Sequence, residues 1–224
     1  MHDTSPSGTA VEIARPSSGM ATRGLVIAPD IMGLRPLFDA MAQRLADEHG
    51  WAVAAVEPFA GQESLPLDQR MTAVRDLDEQ QAMVDLVAAA DMLGVEPVGV
   101  IGFCMGGMYA MKAAATGRFD RAVGFYGMIR LPDAWSGGSQ QHTLDVLAAA
   151  PGSAAKVLAV IGTADPYTPP TDVAALEAAG ATIARYEGAE HGFVHDPDRP
   201  AHRADDAADA WRRTAAWLGG ASEP

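Results

Sequence analysis

Residues 98–112, VGVIGFCMGGMYAMK, constrain the chain more than any other stretch. Val98 to Phe103 is a short apolar run rich in β-branched residues, the pattern of a buried strand. Gly102, Phe103, Cys104, Met105, Gly106 and Gly107 follow as a Gly-x-Cys-x-Gly turn, and the run from Met108 to Ala115, ending at Gly117, has helix-forming composition. Strand, glycine turn and helix together make the layout of a nucleophile elbow, with cysteine where serine usually stands. Such a turn holds its central residue at strained backbone angles. It also brings strand and helix so close that side chains at positions 102 and 106 would collide. Cys104 is thereby expected above the sheet edge at a helix N-terminus, where peptide dipoles favour a thiolate. A buried structural cysteine beside flexible glycines fits the same local pattern, so other parts of the chain must decide.

Read in order, the chain alternates strands with helices. Met1 to Gly8 is polar and expected to fray, and Ala10 to Ala14 suits a short edge strand. Gly24 to Pro29 is a buried strand, and a helix is predicted over Pro36 to Glu48, with proline near its start and Gly50 after its end. Trp51 to Val56 is the next strand, Glu57 to Asp68 is irregular, and a long helical pattern covers Leu67 to Leu93. Beyond the elbow come strands at Ala122 to Tyr126, Val157 to Ile161 and Thr182 to Tyr186, and helices at Val173 to Ala179 and Ala201 to Leu218. This is the pattern of a mostly parallel sheet of about seven or eight strands covered on both faces, and 224 residues suit one such α/β domain.

Charge and cysteine usage narrow the function classes. With 16 Lys plus Arg against 29 Asp plus Glu, the net charge of −13 argues against nucleic acid or anionic membranes as partners. The one cysteine leaves no internal disulfide and fits a reducing compartment. MHDTSPSG lacks the basic and apolar regions of a secretory signal, and no apolar run approaches the ~20 residues of a membrane span. A cytoplasmic protein, monomeric or a small homo-oligomer, is the expectation.

In a parallel sheet, functional residues gather past the carboxyl ends of the strands. Besides the turn at Cys104, two such loops carry chemistry. One, after Val157 to Ile161, contains Asp165; the other, after Tyr186, reads EGAEHGF and contains His191. Either residue alone is readily a turn aspartate or a loop histidine satisfied by backbone. Together, in the order nucleophile, acid, histidine and after the expected strands, they match an α/β-hydrolase triad. His191 and His195, four apart with Glu190 adjacent, also raise a zinc reading. That spacing aligns ligands only on a helix, which Gly192 and Pro197 oppose. No metal or cofactor is expected.

The chain resembles the dienelactone hydrolases, a branch of the α/β-hydrolases, from about Gly24 to Leu218. The marks are PDIMG after the first buried strand, VGVIGFCMGG, FDRAVGFYG, IGTADPYTPP and YEGAEHGF. The resemblance implies an α/β-hydrolase fold with Cys104 as nucleophile, His191 as base and Asp165 as its orienting partner. Asp30 falls where the best-known members carry a glutamate that helps govern the resting thiol. His195 falls where they carry an arginine that holds the substrate carboxylate. Arg35, Arg70, Arg75 and Arg185 are alternative sources of charge, though each reads more simply as a solvated surface arginine. Phe59, Tyr126, Trp135 and Phe193 are candidates for an apolar wall, Tyr126 foremost because its hydroxyl could meet a substrate. The Gly- and Ser-rich segment from Leu131 to Thr143 reads as either a lid or a plain loop.

The expected chemistry is cofactor-free hydrolysis of a small ester or lactone through a thioester acyl-enzyme, with the backbone N–H groups of Ile31 and Met105 cradling the oxyanion. A broad carboxylesterase or thioesterase is the alternative within the enzyme class. Outside it stands a non-catalytic redox-sensing protein on the same scaffold, against which the lack of a second, resolving cysteine counts.

Overall fold

The apolar runs pair side by side in one eight-stranded sheet. The structure is a computed structural model that describes residues 3–222. Its strands are β1 (Asp3–Thr4), β2 (Ala10–Ala14), β3 (Gly24–Ala28), β4 (Ala52–Val56), β5 (Val98–Phe103), β6 (Ala122–Phe125), β7 (Val157–Gly162) and β8 (Thr182–Tyr186), in the order β1-β2-β4-β3-β5-β6-β7-β8. β1 and β2 join antiparallel, and from β4 to β8 all neighbours run parallel. This is the α/β-hydrolase fold.

Central strands are apolar at every position because helices cover both faces. On one face Leu25, Ile27, Ile101 and Phe103 pack with Phe38, Met41 and Leu45 of α1 (Pro36–His49) and with Ala210 and Leu218 of α7 (Ala204–Leu218). On the other, Val26, Val100 and Ala159 meet Leu86 and Leu93 of α3 (Glu79–Leu93), Met108 and Met111 of α4 (Met105–Ala113), Leu147 of α5 (Thr143–Ala149) and Leu176 of α6 (Pro170–Ala178).

Four segments differ from the sequence expectation. The pattern from Leu67 to Leu93 is two helices, α2 (Leu67–Ala73) and α3, separated by a 3₁₀ turn at Val74–Asp76 and by extended Leu77. Asp78 ends the break by accepting a hydrogen bond from the Gln81 N–H (3.1 Å), so capping outweighs continuation. The elbow helix starts at Met105, three residues earlier than read, because Gly106 and Gly107 belong to its first turn. Thr143, read as the end of the segment from Leu131, begins α5, a helix that the sequence reading did not include. The N-terminal segment is ordered from Asp3: β1 pairs with β2, and Ser7 and Thr9 donate to the carboxylate of Asp85 on α3, Thr9 at 2.8 Å. Met1 and His2 lie outside the described residues. Among those described, no helix is long and apolar enough to cross a membrane.

Candidate active site

Cys104 occupies the turn between β5 and α4 with φ 57° and ψ −120°, a conformation that costs a side-chain-bearing residue about 1–3 kcal/mol. The cost is met by the packing around the turn. A Cβ at Gly102 would strike the Gly106 carbonyl, and one at Gly106 would strike the carbonyls of Ala28 and Pro29. The Cys104 N–H donates to Phe125 O (3.0 Å), and Met108 N–H donates to Cys104 O (3.1 Å). Tyr126, at the end of neighbouring β6, has φ 41°; these two are the positive-φ residues other than glycine among those described.

The two loops singled out by the sequence meet here. Asp165, after β7, has a fully buried side chain whose oxygens are divided: Oδ1 accepts the Tyr167 N–H (2.9 Å), and Oδ2 lies 2.8 Å from His191 Nδ1. One carboxylate thus holds both the turn and the imidazole. Cys104 lines the same cavity as His191 and is close enough to raise the pKa of its imidazole. Burial by itself would lower the pKa of His191, but the Asp165 hydrogen bond and the charges of Asp165 and Cys104 outweigh it and raise the value to about 9. The ring is held edge to face between Tyr126 (5.2 Å) and Tyr167 (4.9 Å).

Ile31 and Met105 flank this arrangement, and neither backbone N–H donates to an acceptor among the described residues. Ile31 lies in a turn wound around Asp30. The carboxylate of Asp30 accepts the Met32 N–H (2.9 Å) and both terminal nitrogens of Arg35 (2.7 and 3.0 Å), and its carbonyl accepts the Gly33 N–H (2.9 Å). The same carboxylate lies 2.8 Å from Nε2 of His195. Its acceptors are therefore taken by the turn, by Arg35 and by His195. Being one methylene shorter than the glutamate of the resemblance, it serves these neighbours.

A cavity of about 430 Å³ opens over Cys104 and His191. Leu67, Met71, Met128 and Trp135 form an apolar side, while Asp30, Arg35, Asp196 and Arg199 contribute polar groups. Met32, Leu67, Met71 and Tyr167, which line it, are among the few large hydrophobic side chains left exposed. A second cavity, of about 310 Å³ beside Glu57, Asp85 and Tyr109, includes none of these reactive groups.

Several sequence candidates lie elsewhere. Of the proposed apolar wall only Trp135 lines the cavity. Phe59 is buried under the Arg70 guanidinium, and Phe193 packs against Tyr126 and Tyr186. Tyr126 and His195 are buried behind the wall and bonded to each other, so the tyrosine hydroxyl is not offered to substrate. Arg70 is not a surface residue: it is buried, and donates to the carbonyls of Ile31 and Leu65 close to Glu57. Arg185 pairs with Glu177 at the surface. The segment 131–143 is pinned to its neighbours, Trp135 donating to Met71 O (2.9 Å) and Gln140 to Leu77 O (2.8 Å). Arg199, which the sequence reading missed, makes no ion pair with any described carboxylate; its place in a Pro- and Asp-rich turn gave no local signal. Among the described residues no group of three His, Cys, Asp or Glu side chains is placed to hold a metal.

The model of the dienelactone hydrolase family matches residues 10–222. The chain belongs to that family. It is 28% identical over 201 residues to a carboxymethylenebutenolidase of Rhodococcus opacus, covering 85% of this chain and 78% of the relative. It is 25% identical over 221 residues to a Bradyrhizobium protein named "Probable 2-oxo-3-(5-oxofuran-2-ylidene)propanoate lactonase", covering 92% and 87%. Its fold is similar to the crystal structure of a "Putative Dienelactone Hydrolase" from Klebsiella pneumoniae, with a TM-score of 0.82 at 24% identity and 97% of both chains covered. Membership of this family makes the chain a hydrolase of carboxylic esters.

Proposed function

We propose that this dienelactone hydrolase family member cleaves a small activated ester or enol lactone through covalent catalysis by Cys104. The observation that carries the reading is the convergence of three residues: Asp165 lies 2.8 Å from the His191 ring, and His191 lines one cavity with Cys104, which is held in a strained turn. Asp165 fixes the imidazole so that Nδ1–H faces the carboxylate and Nε2 faces sulfur. The thiolate attacks the carbonyl carbon, and the resulting oxyanion accepts from the Ile31 and Met105 N–H groups. Loss of one such donor costs about 3 kcal/mol of barrier. The carbon–oxygen bond then breaks as His191 gives its proton to the departing oxygen, leaving a thioester. His191 next takes a proton from water, whose oxygen attacks the thioester carbonyl; the acid leaves and the thiolate is regenerated.

The chemistry of sulfur selects the substrate. A thiolate is itself a good leaving group, so the tetrahedral intermediate reverts unless the departing oxygen is at least as good. Enol lactones, enol esters, aryl esters and thioesters meet that condition, while amides and simple alkyl esters do not. The apolar side at Leu67, Met71, Met128 and Trp135 suits a compact carbon skeleton, and the guanidinium of Arg199, which has no ion-pair partner among the described residues, suits an anionic substituent on it.

The test is stopped-flow turnover of p-nitrophenyl acetate and an enol lactone by wild type and Cys104→Ala, with intact-protein mass recorded during turnover. The expected result is a burst and an acyl adduct in wild type, both absent in the variant. Turnover that persists in Cys104→Ala would overturn the covalent mechanism. A rate for p-nitrophenyl acetate equal to or above that for the lactone would favour a broad esterase.

A further inference from the structure

We propose that Asp30, His195 and Tyr126 form a positioning relay that joins the turn carrying Ile31 to the ring of His191, and that neither His195 nor Tyr126 contacts substrate. The inference rests on the reading of Cys104 and His191 as the reacting pair.

His195 is fully buried between two partners from distant parts of the chain. Its Nε2 lies 2.8 Å from Asp30 Oδ2, and its Nδ1 is hydrogen-bonded to the Tyr126 hydroxyl. Only one arrangement of hydrogens satisfies these contacts. A carboxylate ion-paired to Arg35 can only accept, so Nε2 carries the hydrogen. Burial, the largest influence on His195, keeps the ring neutral despite the neighbouring carboxylate, so Nδ1 accepts from the Tyr126 O–H. The tyrosine oxygen in turn accepts the His195 backbone N–H (3.3 Å). Each polar atom has one direction to face.

Each end of this series abuts a part of the proposed machinery. At one end, Asp30 Oδ1 and the Asp30 carbonyl hold the Met32 and Gly33 N–H groups, leaving the intervening turn with the Ile31 N–H uncommitted. At the other, Tyr126 is held at φ 41°, its ring fully buried and edge to face with His191. The hydroxyl bond to His195 fixes how far that ring can swing, and hence the wall against which His191 rests. A purely structural network could have been placed anywhere in the core; this one spans the loops after β3, β6 and β8 where they converge on Cys104.

The test uses Tyr126→Phe, which removes only the hydroxyl, with His195→Leu and His195→Gln. The last offers an N–H and a carbonyl at its tip. Two readouts are taken at a temperature where every variant is fully folded by circular dichroism. One is the acylation rate and KM for p-nitrophenyl acetate. The other is the rate of alkylation of Cys104, the one cysteine of the chain, by iodoacetamide at pH 7. The expected result is a fall of about 10-fold or more in acylation rate and in alkylation rate for Tyr126→Phe and His195→Leu. KM stays within twofold, and His195→Gln recovers most of the loss. Rates within twofold of wild type in folded Tyr126→Phe would overturn the relay, as would a raised KM with unchanged acylation, which would make the pair substrate contacts. Alkylation reports on the relay even in a protein that turns over no ester, so absence of an acyl adduct in wild type would fail the hydrolytic mechanism separately.

Discussion

Nδ1 of His191 lies 2.8 Å from Oδ2 of Asp165, while Oδ1 of the same carboxylate accepts the Tyr167 N–H at 2.9 Å. This division of labour makes Asp165→Asn informative. The asparagine carbonyl can keep the turn bond, which leaves its NH₂ facing Nδ1. The imidazole must then present its lone pair at Nδ1 and carry its hydrogen on Nε2, the wrong tautomer for a base facing Cys104. The variant is expected to fold with an unchanged melting midpoint to within a few degrees and to lose about 10³–10⁴-fold in kcat. A pre-steady-state assay beside a thermal scan checks both halves. Loss of fold together with activity would show that the turn, and not the tautomer, was at stake.

The raised pKa of His191 has consequences for both rate and stability. Burial opposes the shift, but the carboxylate of Asp165, which accepts from Nδ1, and the nearby Cys104 take the value from 6.5 to about 9. In the proposed mechanism the imidazolium donates to the departing oxygen, so acylation falls on the alkaline side of about pH 9. For stability the sign is that of a histidine whose folded pKa exceeds its unfolded one. The protonated ring's contribution is complete below pH 6.5 and is lost as pH rises to about 9. Urea midpoints are expected to decline across that window in wild type and to be flatter in His191→Gln.

Acid stability has a different origin. His195 is held below its ordinary 6.5 chiefly by burial, so the unfolded chain takes up a proton that the folded chain refuses and stability falls as pH drops below 6.5. Asp30 works in the same direction lower down. Burial would raise its pKa, but bonds from His195 and Arg35 hold it well below the usual carboxylate range, so its contribution is present above pH 3.8 and lost beneath it. His195→Gln is expected to lessen the loss between pH 6.5 and 5 in equilibrium unfolding. An identical slope in that variant would assign the loss to other groups.

Local pattern carried the sheet and the placement of the loops bearing Cys104, Asp165 and His191, because a buried strand, a glycine turn and the residues just past a strand end are each short local signals. What escaped it depends on pairs far apart. His195 reads as a zinc ligand or as a stand-in for the family's arginine until the loop after β8 brings it beside Asp30, 165 positions earlier. Arg70 reads as a solvated helix charge until α2 turns it toward the Ile31 carbonyl. The break between α2 and α3 was legible in principle: Asp78 and Gln81 have the spacing of a capping pair, but apolar periodicity on both sides masked it.

Lys112 offers a test of how the elbow helix is anchored. Its fully buried Nζ lies 2.5 Å from Oε2 of Glu79, at the first turn of α3, and Glu79 also accepts the Gln141 N–H at 3.0 Å. Removing one partner strands the other charge in the core. Lys112→Met is therefore expected to lose about 3–5 kcal/mol in urea unfolding. Lys112→Met with Glu79→Gln is expected to recover a good part of it, because no buried charge remains and the glutamine can still accept from Gln141. Equal losses in the single and double variants would mean that packing, and not the stranded carboxylate, sets the cost.

Arg199 is the residue on which the proposed preference for an anionic substrate turns. Arg35, the other arginine at the cavity, is already paired with both oxygens of Asp30, whereas Arg199 has no ion-pair partner among the described residues and lines the same space as Cys104. Glutamine at this position keeps a polar side chain and removes the charge. Arg199→Gln is expected to raise KM about 10-fold for an enol lactone bearing a carboxylate, while leaving kcat and the turnover of neutral p-nitrophenyl acetate within twofold. The effect should weaken as ionic strength rises, since the guanidinium is partly open to solvent. A fall of similar size for both substrates would instead place Arg199 in the support of the His191 loop, where its side chain packs close against Gly192.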